Sequence, residues 1–272
     1  MNVNPTDVRY TDALQRLLTI VNELRAQCPW DKEQTLDSLR YLTIEETYEL
    51  SDAILENDLN AIKKELGDLM LHLVFYAKIT AEQDVFDIAD VMNGLCEKLI
   101  ARHPHVYGTV NADDADTVKR HWEQLKLQEK GNYSALAGVP NMLPALVKAI
   151  RIQEKARGMG FDWRPDDLSS VWHKVKEEIQ EFVEHIDPVS QKPHNFIEAE
   201  NEFGDILFSL VNYARFVGIN PENALEKTNK KFMRRFMWME TAIREANKQM
   251  HDLSLEELEF FWQQAKQQEK IK

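Results

Sequence analysis

Between sparse turn residues the chain places its apolar positions three and four apart and does not alternate them, which is the spacing of one helix face and not of a strand. The pattern predicts helices over 10–26, 36–56, 58–82, 87–101, 114–130, 143–157, 168–186, 195–217, 221–249 and 254–270. Pro221 after Asn220 suits the first turn of a helix, and Ser254 followed by Glu257 has the spacing of a capping box. Residues 131–142 (GNYSALAGVPNM) break the pattern with Gly, Pro and small polar residues and read as a connector. The expected fold is all-α.

The pattern also repeats. CPWD at 28–31 corresponds to GFDW at 160–163 through Trp30 and Trp163, IEETYE at 44–49 to EEIQE at 177–181, and ELGD at 65–68 to EFGD at 202–205. Lys98 and Arg102 correspond to Lys231 and Arg235, and WEQLKLQEK at 122–130 to WQQAKQQEK at 262–270. Five blocks in one order, at nearly constant offset, make an internal duplication. The excess offset at EFGD falls in the Pro-bearing loop HIDPVSQKPHN. The expected organisation is two tandem four-helix-type units, 1–130 and 143–272, joined by 131–142.

Composition narrows the partners. With 46 Asp plus Glu against 33 Lys plus Arg, the net charge of −13 repels nucleic acid and anionic membranes alike. No run approaches the about 20 apolar residues of a membrane span, and the N-terminus lacks the apolar stretch of a signal peptide. Cys28 and Cys96, the two cysteines, have no CxxC spacing and read as small buried apolar residues, which fits a reducing cytoplasm. Trp30 and Trp163 read as core anchors, and His103 and His105 as residues shaping a turn after the helix that ends near Ala101.

The candidate chemistry lies in the acidic repeats. Glu46 and Glu49 share one helix face, and Glu65 and Asp68 share a face of the next helix; Glu178, Glu181, Glu202 and Asp205 repeat the arrangement. Gly67 and Gly204 sit mid-helix, where glycine costs about 1 kcal/mol against alanine, and close approach of the two helices is the simplest compensation. Four carboxylates so gathered need a cation. All-oxygen ligands favour a hard divalent ion such as Mg²⁺, or Mn²⁺ in its place. A solvated acidic helix face is the alternative for a single such run; the duplicated pair of motifs favours metal.

EExxE followed by ExxD on consecutive helices, with CPWD before and EKLxxRHPHV after, resembles the MazG nucleoside triphosphate pyrophosphohydrolases over almost the whole chain, Trp262 included. The resemblance implies tandem MazG-like helical units, a nucleoside triphosphate substrate cleaved to monophosphate and pyrophosphate, Mg²⁺ as cofactor, and a homodimer. It also implies a housecleaning role toward noncanonical nucleotides. It places metal at Glu178, Glu181, Glu202 and Asp205, and nucleotide at Lys174, Glu177, Lys231, Arg235 and Trp262. The family's lysine just before the ExxD pair is missing from EAEN at 198–201.

The second half holds the fuller set of groups. Lys174 lies one turn before Glu178, where the first half has Leu42, and Asn212 stands where the first half has Phe75. Asn212 reads equally as a satisfied core amide or as a contact to base or ribose. Catalysis is therefore expected in the second half, with Lys174 cationic beside the cluster and Glu177 as general base or as a group that positions a ligand. Glu46, Glu49, Glu65 and Asp68 would form a second metal cluster in a weak or inactive half. The expected reaction is in-line attack of water on a phosphorus of the triphosphate. A nucleotide-sensing helical protein without turnover is the alternative.

Overall fold

The computed structural model describes residues 7–108, 118 and 134–271. The chain divides into two compact units, Met1–Val118 and Lys119–Lys272. Between this division and the connector read from the sequence, residues 119–133 lie outside the described residues, as does most of the helix expected over 114–130, with Trp122. Among the described residues there is no strand, only an isolated antiparallel bridge between Ile186 and Pro193. No described helix is long and apolar enough to cross a membrane.

In the first unit α1 (Val8–Gln27) leads through the short α2 (Pro29–Glu33) to α3 (Leu36–Glu56), α4 (Leu59–Ala81), α5 (Ile88–Arg102) and α6 (Pro104–Tyr107). Local chemistry fixes the boundaries. The Asp7 side chain accepts from the Arg9 N–H, Thr35 and Ser38 form a reciprocal capping box, and Asp58 accepts from the Asn60 and Ala61 N–H groups. Asn57 ends α3 in the left-handed region at φ 55°, so two residues turn the chain and set α4 antiparallel to α3. Arg25 clamps the turn around α2: its Nη1 donates to the carbonyls of Asp31, Lys32 and Gln34, and its other nitrogens bind the Glu82 carboxylate. That ion pair holds the Glu82 carboxyl below the usual glutamate range.

Val21, Leu39, Val74, Phe75 and Ile79 form the core that α1, α3 and α4 share. A hydrogen bond of 2.6 Å between the Thr43 and Tyr76 hydroxyls joins α3 to α4 beside it. Helix α5 buries no residue fully, and Val91, Met92, Leu95 and Leu99 remain exposed. Cys96 is consequently exposed and Cys28 only half-buried, against the expectation of two buried thiols. His103 meets its expectation, capping α5 through its N–H to the Ile100 carbonyl.

The second unit contains a 3-10 turn at Ala135–Gly138, then α7 (Ala145–Gly158), α8 (Leu168–Glu184), α9 (Phe196–Phe216), α10 (Pro221–Glu245) and α11 (Leu255–Ile271). Asp167, Asn195 and Asn220 cap α8, α9 and α10. The predicted box is present, with Ser254 N–H donating to Glu257 at 3.0 Å and Glu257 N–H to Ser254 Oγ at 3.3 Å. Helix α10 stops four residues earlier than its apolar pattern predicts, because Asn247 turns left-handed at φ 54°. Val171, Val175, Ala199, Val211, Met239, Ile243 and Ala265 are buried here. The pairings α3 with α4 and α8 with α9 dominate their respective units, as the duplication requires.

Because Phe75 is 3% exposed and part of a five-residue core, Phe75→Ala should destabilise the first unit by about 3–5 kcal/mol, read as a lowered urea midpoint in the full chain.

Candidate active site

Side chains from α8 and α9 converge in the second unit. One carboxylate oxygen each from Glu178, Glu181 and Glu202 lie within 4.8 Å of one another. Glu178 is buried and Glu181 and Glu202 are half-buried, so the group is only partly screened by water. A hydrogen bond to the Glu178 carboxyl, then burial and the Glu178 charge, raises the Glu181 carboxyl above the ordinary glutamate value. Asp205 falls outside the three-oxygen group but lines the adjoining cavity with Lys174 and Glu178. Lys174 Nζ lies 2.8 Å from Glu178 Oε1 and 2.6 Å from Glu177 Oε1. These contacts raise the lysine and lower the Glu177 carboxyl, so both stay charged at neutral pH.

The first unit gathers Glu46, Glu49 and Glu65 within the same 4.8 Å, but its cation is different. Lys64 Nζ stands 3.0 Å from Glu65, 3.5 Å from Asp68 and 4.0 Å from Glu49, whereas Asn201 occupies the matching position in the second unit. Glu46 Oε2 is buried with no hydrogen-bond partner among the described residues, and burial together with the charges of Asp68, Glu49 and Glu65 raises its carboxyl. His72, one turn after Asp68, is buried and held neutral by burial, against the pull of Asp68.

Gly67 and Gly204 do not serve close packing within either unit. Among the described residues, a Cβ built on either meets nothing within 4 Å, and both glycines are exposed. The carboxylates meet because the two-residue turn and the loop 185–195 bring their helix faces together. Around the glycines lie equivalent exposed apolar positions, Leu66, Met70 and Leu73 on α4 and Phe203, Leu207 and Leu210 on α9.

Arg235 and Trp262 meet on α10 and α11, with the guanidinium 5.9 Å from the indole centroid and Phe232 5.1 Å away on the ring. Arg235 is also bound by Glu269 at 2.7 Å, which lowers the Glu269 carboxyl. Lys231 lies one turn earlier on the same helix.

Beside the carboxylates opens a cavity of about 370 Å³. Among its polar members, Gln153, Asp162 and Arg215 carry no weight in the sequence pattern, although Asp162 belongs to the duplicated GFDW block. Trp163 is 40% exposed and lines this cavity, and Trp30 is 56% exposed, so neither tryptophan is the core anchor expected. In the first unit the position of Asn212 is filled by Phe75, packed into the core.

With this geometry the relatives can be placed. The family model described as the MazG nucleotide pyrophosphohydrolase domain matches the chain twice, over residues 34–107 and 167–239, the segments that carry the two carboxylate groups. The chain belongs to the MazG nucleotide pyrophosphohydrolase family. It is 42% identical over 262 residues to the nucleoside triphosphate pyrophosphohydrolase of Escherichia coli K12, covering 94% of this chain and 98% of the relative. It is 42% identical over 256 residues to the nucleoside triphosphate pyrophosphohydrolase/pyrophosphatase MazG of Thermotoga maritima, covering 93% and 95%. A nucleoside triphosphate pyrophosphohydrolase of Mycobacterium tuberculosis is 35% identical over 173 residues, covering 62% and 53%.

The raised Glu181 carboxyl has a stability consequence. A carboxyl whose folded value lies above its unfolded one favours folding while protonated, and that contribution is lost as pH rises from the unfolded value through the folded one. In chelator, the melting temperature of Glu181→Gln should therefore fall less than that of the native chain as pH rises above about 4.5, measured by scanning calorimetry.

Proposed function

We propose that this chain hydrolyses nucleoside triphosphates to the monophosphate and pyrophosphate in its second unit, with Mg²⁺ held by Glu178, Glu181, Glu202 and Asp205, and Mn²⁺ as a substitute. The observation that carries the reading is the meeting of three carboxylate oxygens within 4.8 Å beside a cavity that Lys174 also lines. The donor set suits the ion. It is all oxygen, and a divalent cation would relieve the mutual repulsion of carboxylates gathered this closely. When bound, such an ion neutralises triphosphate charge and makes bound water more acidic.

The side chains divide the remaining work. Lys174 fixes Glu177 and Glu178 together and presents an ammonium to phosphate oxygens. Glu177, kept ionised by that lysine, accepts the proton of the attacking water. Water adds to a phosphorus of the α–β anhydride, the bridging P–O bond breaks, and pyrophosphate departs. Lys231, Arg235 and Trp262 are further nucleotide contacts, reached once substrate competes with Glu269 for Arg235. Support for the second unit comes from Leu42 and Phe75 in the first unit, where Lys174 and Asn212 stand in the second. Lys64 already neutralises carboxylates of the first cluster.

The exposed stripes Leu66, Met70 and Leu73, and Phe203, Leu207 and Leu210, with open space over Gly67 and Gly204, support a homodimer in which a second copy covers these faces. The charge of −13 disfavours nucleic-acid and anionic membrane partners, and the likeness to the family supports a cytoplasmic housecleaning role.

Two outcomes check this. Nucleoside triphosphates with Mg²⁺ should give monophosphate and pyrophosphate by chromatography, and excess chelator should stop the reaction; diphosphate plus orthophosphate would exclude the assignment, and binding without turnover would leave a nucleotide sensor. In the same assay Glu178→Ala/Glu181→Ala should lose activity about a hundredfold or more, since metal chemistry supplies several kcal/mol, while Glu46→Ala/Glu49→Ala keeps most of it. Circular dichroism should show both variants helical; equal losses would refute catalysis in the second unit.

A further inference from the structure

The cavity of the second unit carries two amides whose orientation is locked by hydrogen bonds. Gln153 is 6% exposed, and its Nε2 donates to the Phe208 carbonyl at 2.8 Å. That bond fixes which end of the amide is oxygen, and Gln153 Oε1 is buried with no hydrogen-bond partner among the described residues. Asn212 is 8% exposed. Its Oδ1 accepts from Arg215 Nη2 at 2.7 Å and Nε at 3.3 Å. Arg215 is held in turn by both Asp162 oxygens at 2.8 and 2.6 Å. With its oxygen engaged, Asn212 has its NH₂ as the donor end. Around these amides the cavity wall is apolar and aromatic, including Ile152, Phe161, Trp163 and Phe208.

An acceptor left unsatisfied in a buried site costs stability unless a ligand or water meets it. The volume of about 370 Å³ falls in the range of small-ligand pockets, about 300–1,000 Å³. A flat heteroaromatic ring with an N–H donor beside a ring acceptor fits such walls and such a pair of amides. The Watson–Crick edge of a nucleobase has that pattern: the exocyclic N–H and ring nitrogen of adenine and of cytosine, the ring N–H and carbonyl of guanine and of uracil. Lys174, Glu178 and Asp205 line the same cavity, so a base seated there has its phosphates directed to the carboxylates.

We infer that Gln153 is a specificity-determining residue: the cavity is the nucleobase socket, and Gln153 Oε1 accepts a hydrogen bond from an N–H on the base edge while the Asn212 amide donates to the neighbouring acceptor. This rests on the pyrophosphohydrolase reading and adds where the base sits and what reads it. Because every common base offers a donor next to an acceptor, the socket selects nucleobases as a class and tolerates several of them. The place of Asn212 is taken in the first unit by Phe75, a core residue that supplies no amide.

The test uses the full chain and ligands whose binding needs no turnover. Affinities for AMP and for purine riboside monophosphate, which lacks the exocyclic amine, are measured by calorimetry in the native protein, in Gln153→Met and in Trp262→Ala. Inorganic tripolyphosphate is the base-free control. The native protein should prefer AMP by roughly tenfold, the scale of one lost hydrogen bond that leaves a buried group unpaired. Gln153→Met should bring the ratio near one and leave tripolyphosphate affinity within about twofold, and Trp262→Ala should keep the preference. Equal affinities in the native protein, a preference that survives in Gln153→Met, or its loss in Trp262→Ala would overturn the inference. The native comparison decides the matter even if Gln153→Met does not fold. Pyrophosphate release by the same preparation is scored separately: a native chain that discriminates the monophosphates yet turns over no triphosphate sinks the enzymatic reading and leaves the socket standing.

Discussion

Carboxylates held close together repel, and the organisation of both units turns on how that repulsion is met. Two unit charges about 4 Å apart cost roughly 4 kcal/mol at an effective dielectric of 20, and each unit brings three acidic oxygens within 4.8 Å. Helix packing imposes the proximity: the antiparallel pairs α3 with α4 and α8 with α9, fixed by caps at Thr35, Asp58, Asp167 and Asn195, leave the acidic faces no other direction. Burial and then the neighbouring acids raise the Glu46 carboxyl, and a hydrogen bond to Glu178, then burial and the Glu178 charge, raises that of Glu181. A protein that keeps such a cluster keeps a standing demand for positive charge.

The two units answer the demand differently. In the first, Lys64 reaches Glu49, Glu65 and Asp68 from the same helix as the ExxD pair, so the counter-charge belongs to the chain itself. In the second, that position is Asn201, and the ammonium comes instead from Lys174, which binds Glu177 and Glu178 and leaves Glu181 and Glu202 outside its direct contacts. That lysine, on α8, also lines the cavity. Duplication has given one acidic scaffold two electrostatic solutions, one closed by its own side chain and one open toward a ligand.

Packing then separates the units further. Phe75 fills the first unit with apolar volume, whereas Asn212, Gln153 and the Asp162–Arg215 pair surround open space in the second. Such a polar lining is maintained only because most of its groups are engaged: Arg215 by Asp162 and Asn212, and Gln153 Nε2 by the Phe208 carbonyl. The exposed apolar stripes on α4 and α9 show that burial within the chain leaves these helices incompletely covered.

The sequence by itself determined the all-helical class, the duplication and the acidic faces, because each is written in short-range spacing: apolar residues every three or four positions, capping residues at helix starts, and paired acids three apart. It also distinguished the halves at Lys174 and Asn212. What it could not determine depends on contacts between residues far apart in the chain. Gln153 meets Phe208, and Asp162 meets Arg215, pairings set by how α7 and the loop after it lie on α9 and not by any local pattern. The same reason explains the errors. Trp30, Trp163 and Cys96 carry the composition of a core, but their exposure is decided by which neighbours cover them. Gly67 and Gly204 invite an inward explanation until the direction of their absent Cβ atoms, outward into open space, is fixed by the tertiary fold.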